Sequence, residues 1–233
     1  MNNATPTGSH SQTVVPLPDA PVTGSPVPHL TSIHSTPTRG PWGDWRYPGN
    51  CSGFLIRDLL RFFQPKSVFD PMSGSGTCAD VCREIGIPCF SGDIHTGFDA
   101  CDAAKYPKQQ FDFIWLHPPY WRMKSYGTDP RCLSNAATAT EFYSRLRMLV
   151  RACLTVLAPG GRIAILMGDY HDQRLGKIVP CVHLTKDICF CQDLWPACTD
   201  IIRFQHGNSS SHKHYTSSFI PGLHDVCMVF QRA

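Results

Sequence analysis

The sequence predicts an α/β fold with a mainly parallel sheet, because short apolar strands alternate along the chain with helical patterns. The chain has 233 residues, of which 42% are hydrophobic and 17% charged, as is typical of one packed domain. Residues 1–40 differ from the rest, with seven prolines, twelve serines or threonines and no apolar period. We expect this segment to be a disordered tail and residues 41–233 to form the folded domain.

The elements follow in order from apolar spacing and from the residues that break it. Apolar residues at helical spacing over 54–63 predict a helix that Pro65 ends. A strand then ends near Asp70, and the next helix, over 77–84, ends at Gly86. The remaining predicted elements are strands at 88–93 and 111–116, a long helix over 142–157 broken by Pro159-Gly160-Gly161, and strands at 162–167, 199–204 and 225–230.

Charge and apolar runs limit the partners. No stretch approaches the ~18 to 20 apolar residues of a membrane helix. No basic start followed by an apolar core marks a secretory signal. We therefore expect a cytoplasmic protein without a membrane partner, in a bacterial-type cytosol or nucleoid. The net charge of +3 permits a polyanionic partner without requiring one.

Twelve cysteines are many for a chain that shows no secretory signal. Several lie in apolar runs, and no C-x-x-C pair occurs. Cys78 with Cys82, and Cys189 with Cys191, lack the matching second pair that a zinc site needs. We expect reduced thiols that fill the core, and no metal site.

The first motif with chemical meaning spans residues 69–77, FDPMSGSGT, where a strand leads through a glycine-rich turn into a helix. Such a turn lets a ligand approach the backbone and offers it free N–H groups. A phosphate-binding P-loop is excluded because no lysine follows Gly76. A dinucleotide stays open, since Gly74, Gly76 and Ala79 match G-x-G-x-x-A and Asp93 follows as a ribose acid. S-adenosylmethionine, whose ribose also requires an acid, stays open beside it.

The second motif spans residues 115–121, WLHPPYW, and follows a strand directly. Pro118 and Pro119 make the backbone rigid and remove two N–H donors, so their carbonyl groups are left to accept hydrogen bonds. An aromatic ring follows at once. These are the parts that grip a planar exocyclic amine, with acceptors for its protons and a ring for its base. Because ligands bind beyond the carboxyl ends of parallel strands, we expect the loops after the first three strands to share one crevice.

With both motifs, the chain resembles the amino-methyltransferases of DNA, the N6-adenine and N4-cytosine methylases. Residues 70–77 resemble the family's D-P-F-x-G-S-G-T cofactor motif with Met72 in place of Phe, and residues 117–120 resemble its [DNS]-P-P-[YFW] catalytic motif with His first. The resemblance covers residues 42–232 and includes a lid at 126–131. It implies a Rossmann-like S-adenosylmethionine-dependent methyltransferase fold, with a mainly parallel seven-stranded sheet and helices on both faces. It also implies S-adenosyl-L-methionine as the cofactor and DNA as the partner.

The resemblance also assigns roles. The implied reaction is direct in-line methyl transfer to the exocyclic amine of a flipped base. The implied catalytic residues are His117, Pro118, Pro119 and Tyr120. The implied cofactor-binding residues are Asn50, Asp70, Pro71, Ser73, Gly74, Ser75, Gly76, Thr77, Asp93 and Asp102. Among these, Asp93 is expected to bind the ribose and Asp102 the adenine amino group, with Asp99 as its close competitor.

Basic and aromatic residues in two loops are candidates for substrate contacts, because they suit phosphate binding and base stacking. They are Trp121, Arg122, Lys124, Arg203 and Lys213. No inserted segment is large enough to form a recognition domain. We therefore expect loose sequence specificity, or specificity that depends on a partner or a homodimer.

His117 departs from the Asp, Asn or Ser of the family motif. A neutral imidazole accepts a hydrogen bond through one ring nitrogen only, so its role requires the unprotonated form. We expect activity to fall as the pH drops through about 6.5, the ordinary histidine value.

Three other functions stay open at this point. An RNA base methyltransferase would use the same motifs on amines in RNA. A non-catalytic nucleic-acid-binding regulator would keep the fold without the activity. An NAD-dependent dehydrogenase fits the glycine-rich turn but does not explain residues 117–120.

Overall fold

The computed structural model describes residues 18–204, 218–220 and 222–232. Ten strands form in these ranges. In chain order they are β1 (Ile33–His34), β2 (Val68–Asp70), β3 (Cys89–Ser91), β4 (Phe111–Leu116), β5 (Leu157–Met167), β6 (Tyr170–Asp172), β7 (Lys177–Val179), β8 (Leu194–Pro196), β9 (Ile201–Phe204) and β10 (His224–Arg232).

Eight of these strands form one sheet in the order β1-β9-β10-β5-β4-β2-β3, with β8 also paired to β10. The pairs β2/β3, β2/β4, β4/β5 and β1/β9 are parallel, whereas β10 runs antiparallel to its neighbours. The sheet is therefore mainly parallel, as predicted. Strands β6 and β7 form a separate antiparallel hairpin.

Helices cover both faces of the sheet. They are α1 (Gly53–Phe63), α2 (Thr77–Ile85), α3 (Ala139–Leu154) and α4 (Cys181–Phe190). Successive side chains of a strand point to opposite faces, and β4 shows this directly. Phe113 and Trp115 pack in the cluster of α1 and α2, whereas Ile114 and Leu116 pack in the cluster of α3 and α4. The predicted two-sided arrangement is confirmed.

Local capping fixes the helix ends close to the predicted positions. The Ser52 hydroxyl accepts the Phe54 N–H at the start of α1, and Gln64 ends that helix in the left-handed region with φ 49°. Gly76 precedes α2 with φ 80°, and Gly86 follows it with φ 75°. The glycine-rich turn and the α2 N-terminus are thus one continuous structure.

The sheet differs from the predicted one in three ways. It has eight strands among the described residues rather than seven, because the short strands β1 and β8 pair along it. Strand β5 begins at Leu157 and continues through Pro159-Gly160-Gly161, where a break between helix and strand was predicted. The pairing register between β4 and β5 shifts in this region, and Gly160 adopts φ 73° there. Helix α4 and the β6–β7 hairpin carried no sequence pattern that predicted them.

Part of the predicted disordered tail lies against the domain. Val27 and His34 are buried, and β1 extends the sheet edge beside β9. His29 Nε2 and His34 Nε2 lie 3.0 and 3.4 Å from Asp58 Oδ2 on α1. Edge pairing and two polar contacts hold this segment without any apolar period, so the predicted boundary at residue 40 is too late. Residues 1–17 lie outside the described ranges.

None of the described helices combines the length and the apolar character that crossing a bilayer requires.

Candidate functional site

Strands β2 and β4 are parallel neighbours, so their carboxyl ends meet at one edge of the sheet. The glycine-rich turn follows β2, and the His-Pro-Pro-Tyr corner follows β4. Both line one pocket of about 770 Å³, part of it open to solvent, to which Ser73, Gly74, His117 and Pro119 contribute. The predicted shared crevice is confirmed, and we call it the inner pocket.

Backbone hydrogen bonds shape the glycine-rich turn. The Ser73 N–H donates to the Gly92 carbonyl at 2.9 Å, and the Gly76 N–H donates to the Ser73 carbonyl at 2.8 Å. Gly74 adopts φ 48°, and a Cβ there would lie 2.9 Å from the Tyr47 ring. A side chain at position 74 would therefore be strained and would crowd the pocket wall.

Two carboxylates lie beside this turn in different environments. Asp70 is only 2% exposed, and burial raises the pKa of its carboxyl well above its ordinary value. Asp93 accepts the Gly74 N–H at 2.9 Å and the His95 N–H at 2.8 Å. A carboxylate offers about four lone-pair positions, so Asp93 retains acceptors toward the pocket. Asp70 is a buried acid that a cationic ligand would compensate.

Polar side chains tie the segment before α1 to the start of α2. The Thr77 hydroxyl donates to Asn50 Oδ1 at 2.6 Å and lies 2.9 Å from the Ser75 hydroxyl. The Asn50 amide nitrogen donates to the Asp44 carbonyl at 2.8 Å. The predicted ligands Asn50, Ser75 and Thr77 therefore line the inner pocket as one connected network.

The imidazole at the corner is held next to a tyrosine. His117 Nε2 lies 3.1 Å from the Tyr120 hydroxyl. Burial lowers the pKa of His117 to about 4 and raises the pKa of Tyr120 well above its ordinary value. His117 is therefore neutral at pH 7. The expected loss of activity near pH 6.5 needs correction, because desolvation moves the protonation of this imidazole to about pH 4.

A second cavity of about 1220 Å³, also open to solvent, adjoins the first, and we call it the outer cleft. The two share one wall formed by Tyr47, Pro48, Gly49, Asn50, His117 and Tyr126. Tyr120, Lys124 and Trp45 line only the outer cleft. His117 therefore faces two spaces, one beside the glycine-rich turn and one beside basic and aromatic side chains.

A buried ion pair forms the floor of the outer cleft. Arg203 Nη2 donates to Asp225 Oδ2 across the β9–β10 pair, where the two residues are direct partners in register. Both side chains are largely buried. Arg203 was predicted to bind substrate phosphate, but its guanidinium is committed to Asp225. It lines the cleft as a structural cation instead.

Of the residues predicted on the cofactor side, eight line the inner pocket and two do not. The predicted residues that line the inner pocket are Asn50, Asp70, Pro71, Ser73, Gly74, Ser75, Thr77 and Asp93. Gly76 lies behind the turn as the N-cap of α2. Asp102 does not line the pocket, and its carboxylate accepts the Ala104 N–H in a short 3₁₀ turn. Its competitor Asp99 lines the pocket.

Three residues predicted for catalysis or substrate binding have other contacts or positions, and a fourth lies outside the described residues. Pro118 is buried and lines neither cavity. Trp121 is buried, and its indole N–H donates to the Ala136 carbonyl at 2.8 Å. Arg122 binds Asp172 through two hydrogen bonds of 2.7 and 3.0 Å, away from both cavities. Lys213 lies outside the described residues.

The inner pocket also contains residues that were not among the predicted ligands. They are Tyr47, Pro48, Gly49, Cys51, Met72, Cys78, Ile94, Phe98, Ala100, Trp115, Arg131, Cys132 and Leu133. The Tyr47 and Tyr126 ring centroids lie 6.0 Å apart, one from the segment before α1 and one from the predicted lid. The aromatic stretch WGDWRYPGN at 42–50 was the one sequence signal for this wall.

No family model and no curated protein match this chain. Among solved structures, TrmN from Thermus thermophilus superposes with a TM-score of 0.50 and 18% identity, covering 80% of this chain and 50% of that chain. An S-adenosylmethionine-dependent methyltransferase from Archaeoglobus fulgidus gives a TM-score of 0.48 and 16% identity, covering 77% and 94%. A provisionally named DNA modification methylase, also from Thermus thermophilus and complexed with S-adenosyl-L-methionine, gives 0.43 and 23%, covering 57% and 53%.

These similarities concern the fold. The chain has a Rossmann-like α/β fold with a mostly parallel central sheet, and it shares that fold with TrmN. It spans about half the length of TrmN. The predicted fold class is confirmed.

Proposed function

We propose that this chain is an S-adenosylmethionine-dependent methyltransferase that acts on the exocyclic amine of a nucleic-acid base, N6 of adenine or N4 of cytosine in DNA. One observation carries the proposal: His117 lines both the inner pocket and the outer cleft. A methyl donor in the first and an amine in the second would meet at this side chain.

The inner pocket suits S-adenosylmethionine in its polar groups and charge. Asp70 is buried and accepts the Met72 N–H at 3.2 Å, and its carboxylate would compensate the ammonium group at the amino-acid end. Asp93 would bind the ribose hydroxyls and Asp99 the adenine amino group. The absent Cβ at Gly74 leaves room for the ligand against the turn.

Neutral His117 would orient the target amine. When bound, the cofactor would supply a sulfonium methyl group for in-line attack by the amine nitrogen: the nitrogen–carbon bond would form as the carbon–sulfur bond breaks, the neutral thioether would leave, and the methylated amine would lose one proton. In the tautomer with its proton on Nε2, His117 donates to the Tyr120 oxygen, and Nδ1 is left as an acceptor for an amine proton. The low pKa of about 4 keeps this lone pair available at neutral pH. Tyr120 thereby fixes the orientation of the imidazole.

The outer cleft suits a base with its phosphates. Arg39 and Lys124 line it and supply positive charge, whereas Arg46, which also lines it, is paired with Asp44. The Trp45 ring lines the same cleft and is 75% exposed, so it is available for base stacking. Tyr120, the ring that the resemblance implies for stacking, is mostly buried and is better suited to packing and to positioning His117.

The direct test is methyl transfer from labelled S-adenosylmethionine to unmethylated duplex DNA and, separately, to total RNA, with nucleosides identified by mass spectrometry. We expect N6-methyladenine or N4-methylcytosine from DNA. His117→Ala is expected to lower kcat about 100- to 1,000-fold with the cofactor Kd unchanged. His183→Ala is the matched control, because that imidazole is exposed and lines neither cavity.

Each contrary result contradicts a different part of the proposal. Methylation of RNA alone would contradict the DNA substrate. Cofactor binding without transfer to either nucleic acid would favour the non-catalytic regulator. If calorimetry detected binding of NAD but no binding of S-adenosylmethionine, the proposed cofactor would be wrong.

A further inference from the structure

Three cysteines converge behind the glycine-rich turn. Cys78 and Cys82 are four residues apart on α2 and therefore share one face of that helix. Cys89 begins β3, which follows α2 through the turn at Gly86. The three sulfur atoms all lie within 4.8 Å of one another. Within the described ranges, this is the one group of three His, Cys, Asp or Glu ligand atoms that converges in this way.

We propose that Cys78, Cys82 and Cys89 form a binding site for a soft, thiophilic metal ion of the Zn²⁺ type. Zinc–sulfur bonds of about 2.3 Å place the sulfurs of a tetrahedral site about 3.8 Å apart. The observed cluster approaches that spacing with free thiols. Three thiolates would more than neutralise a divalent ion, and soft sulfur ligands select such ions over Mg²⁺ or Ca²⁺.

The three thiols differ in their exposure to solvent. Cys78 and Cys82 are buried, whereas Cys89 is partly exposed on a sheet-edge strand and gives an ion a route inward. Three sulfurs leave the fourth position of a tetrahedral ion to solvent or to an added ligand.

This cluster has no local sequence signature because its third ligand comes from another element. The expectation of no metal site was based on the spacing of Cys78 and Cys82, which lacks a second pair. Cys78 also lines the inner pocket. A bound ion would cross-link α2 to β3 directly behind the turn that we assign to the cofactor.

The first test uses the full chain, reduced and stripped of metal with a chelator, and titrated with Zn²⁺ alone or with Co²⁺ as an optical probe. We expect one ion per chain, cobalt–thiolate charge-transfer absorption, and a higher Tm with Zn²⁺. Cys89→Ser should weaken binding by at least about 10-fold and abolish the Tm increase. Cys198→Ser is the matched control, because Cys198 is also partly exposed and lies outside the cluster. Equal binding by the two variants would overturn the proposal.

A second measurement needs no variant. The wild-type chain is treated with an alkylating agent with and without Zn²⁺, and each cysteine is quantified by mass spectrometry. Zn²⁺ should protect Cys89 strongly and leave Cys198 and the exposed Cys191 reactive. Equal alkylation of Cys89 in both samples would refute the site, whether or not Cys89→Ser folds.

Discussion

The inner pocket and the outer cleft meet at His117 but are built in different ways. One wall of the inner pocket is shaped by backbone groups of the glycine-rich turn, such as the Ser73 and Gly74 N–H groups. The outer cleft is formed by long side chains from distant segments, such as Trp45, Lys124 and Arg203. The backbone-built region carries a local motif, whereas the side-chain-built region carries none. The two regions should therefore respond differently to substitution.

The largest expected effect concerns the floor of the outer cleft. Asp225→Ala would leave the largely buried Arg203 guanidinium without its partner, which should lower the free energy of unfolding by about 3–5 kcal/mol. Chemical denaturation measures this loss. Asp187→Ala is the control, because its partner His183 is exposed and surface changes stay within about 0.5 kcal/mol.

A double variant sharpens this result. Arg203→Met with Asp225→Leu replaces the pair by apolar groups and should recover most of the lost stability. If Asp225→Ala cost less than about 1 kcal/mol, the pair would not form the structural floor that we assign to it.

The next largest effect should fall on DNA binding alone and leave cofactor binding unchanged. Trp45→Ala removes an exposed ring from the outer cleft, and base stacking is worth about 1–3 kcal/mol. We expect a Kd for single-stranded DNA about 5- to 100-fold higher, with unchanged affinity for S-adenosylmethionine. Trp195→Ala removes a similarly exposed ring on β8, away from both cavities, and should alter neither. If both variants lost the same affinity for single-stranded DNA, the outer cleft would not be the site that binds a base.

The fold was largely predictable because its signals are local. Strand β4 has the predicted bounds of 111–116, and the ends of α1 and α2 follow from Ser52, Gln64 and Gly86. Helix α4 was missed because two cysteines and a threonine occupy three of its four buried positions, so its buried face is only weakly apolar in the sequence. Strand β1 was missed because two residues at a sheet edge need no apolar period.

The site was predictable only where neighbouring residues act together. Gly74 and Asp93 were found because a motif links them, and the structure joins them by a hydrogen bond of 2.9 Å. Asp99 and Asp102 each accept a backbone N–H from two residues on, and only Asp99 lies at the inner pocket, which no spacing rule reveals. Arg203 was misassigned because its partner Asp225 lies 22 positions away and meets it only through strand register.

A smaller effect is expected in the inner pocket. Gly74→Ala places a Cβ at φ 48° and 2.9 Å from the Tyr47 ring, and a left-handed alanine costs roughly 1–2 kcal/mol. The Kd for the cofactor should rise because the added methyl group crowds the inner pocket, whereas the Kd for DNA should change little. Gly160→Ala has the same kind of backbone strain at φ 73°, but open space around the added methyl group. Gly160→Ala should therefore lose about as much stability as Gly74→Ala but keep its affinity for the cofactor. The comparison distinguishes the effect of backbone strain from the effect of crowding in the pocket.

The smallest expected effect is a rate that does not change with pH across the neutral range. Burial lowers the pKa of His117 from its ordinary 6.5 to about 4, so the imidazole stays neutral between pH 5.5 and 8 and protonates only as the pH falls toward 4. The unfolded chain takes up this proton at higher pH, so stability, unlike rate, should decline as the pH falls from 6.5 toward 4. Single-turnover rates and urea denaturation over pH 5.5–8 measure the two separately. A rate that halves near pH 6.5 would mean that His117 is solvated like a surface histidine, and the boundary between inner pocket and outer cleft would then be open to water.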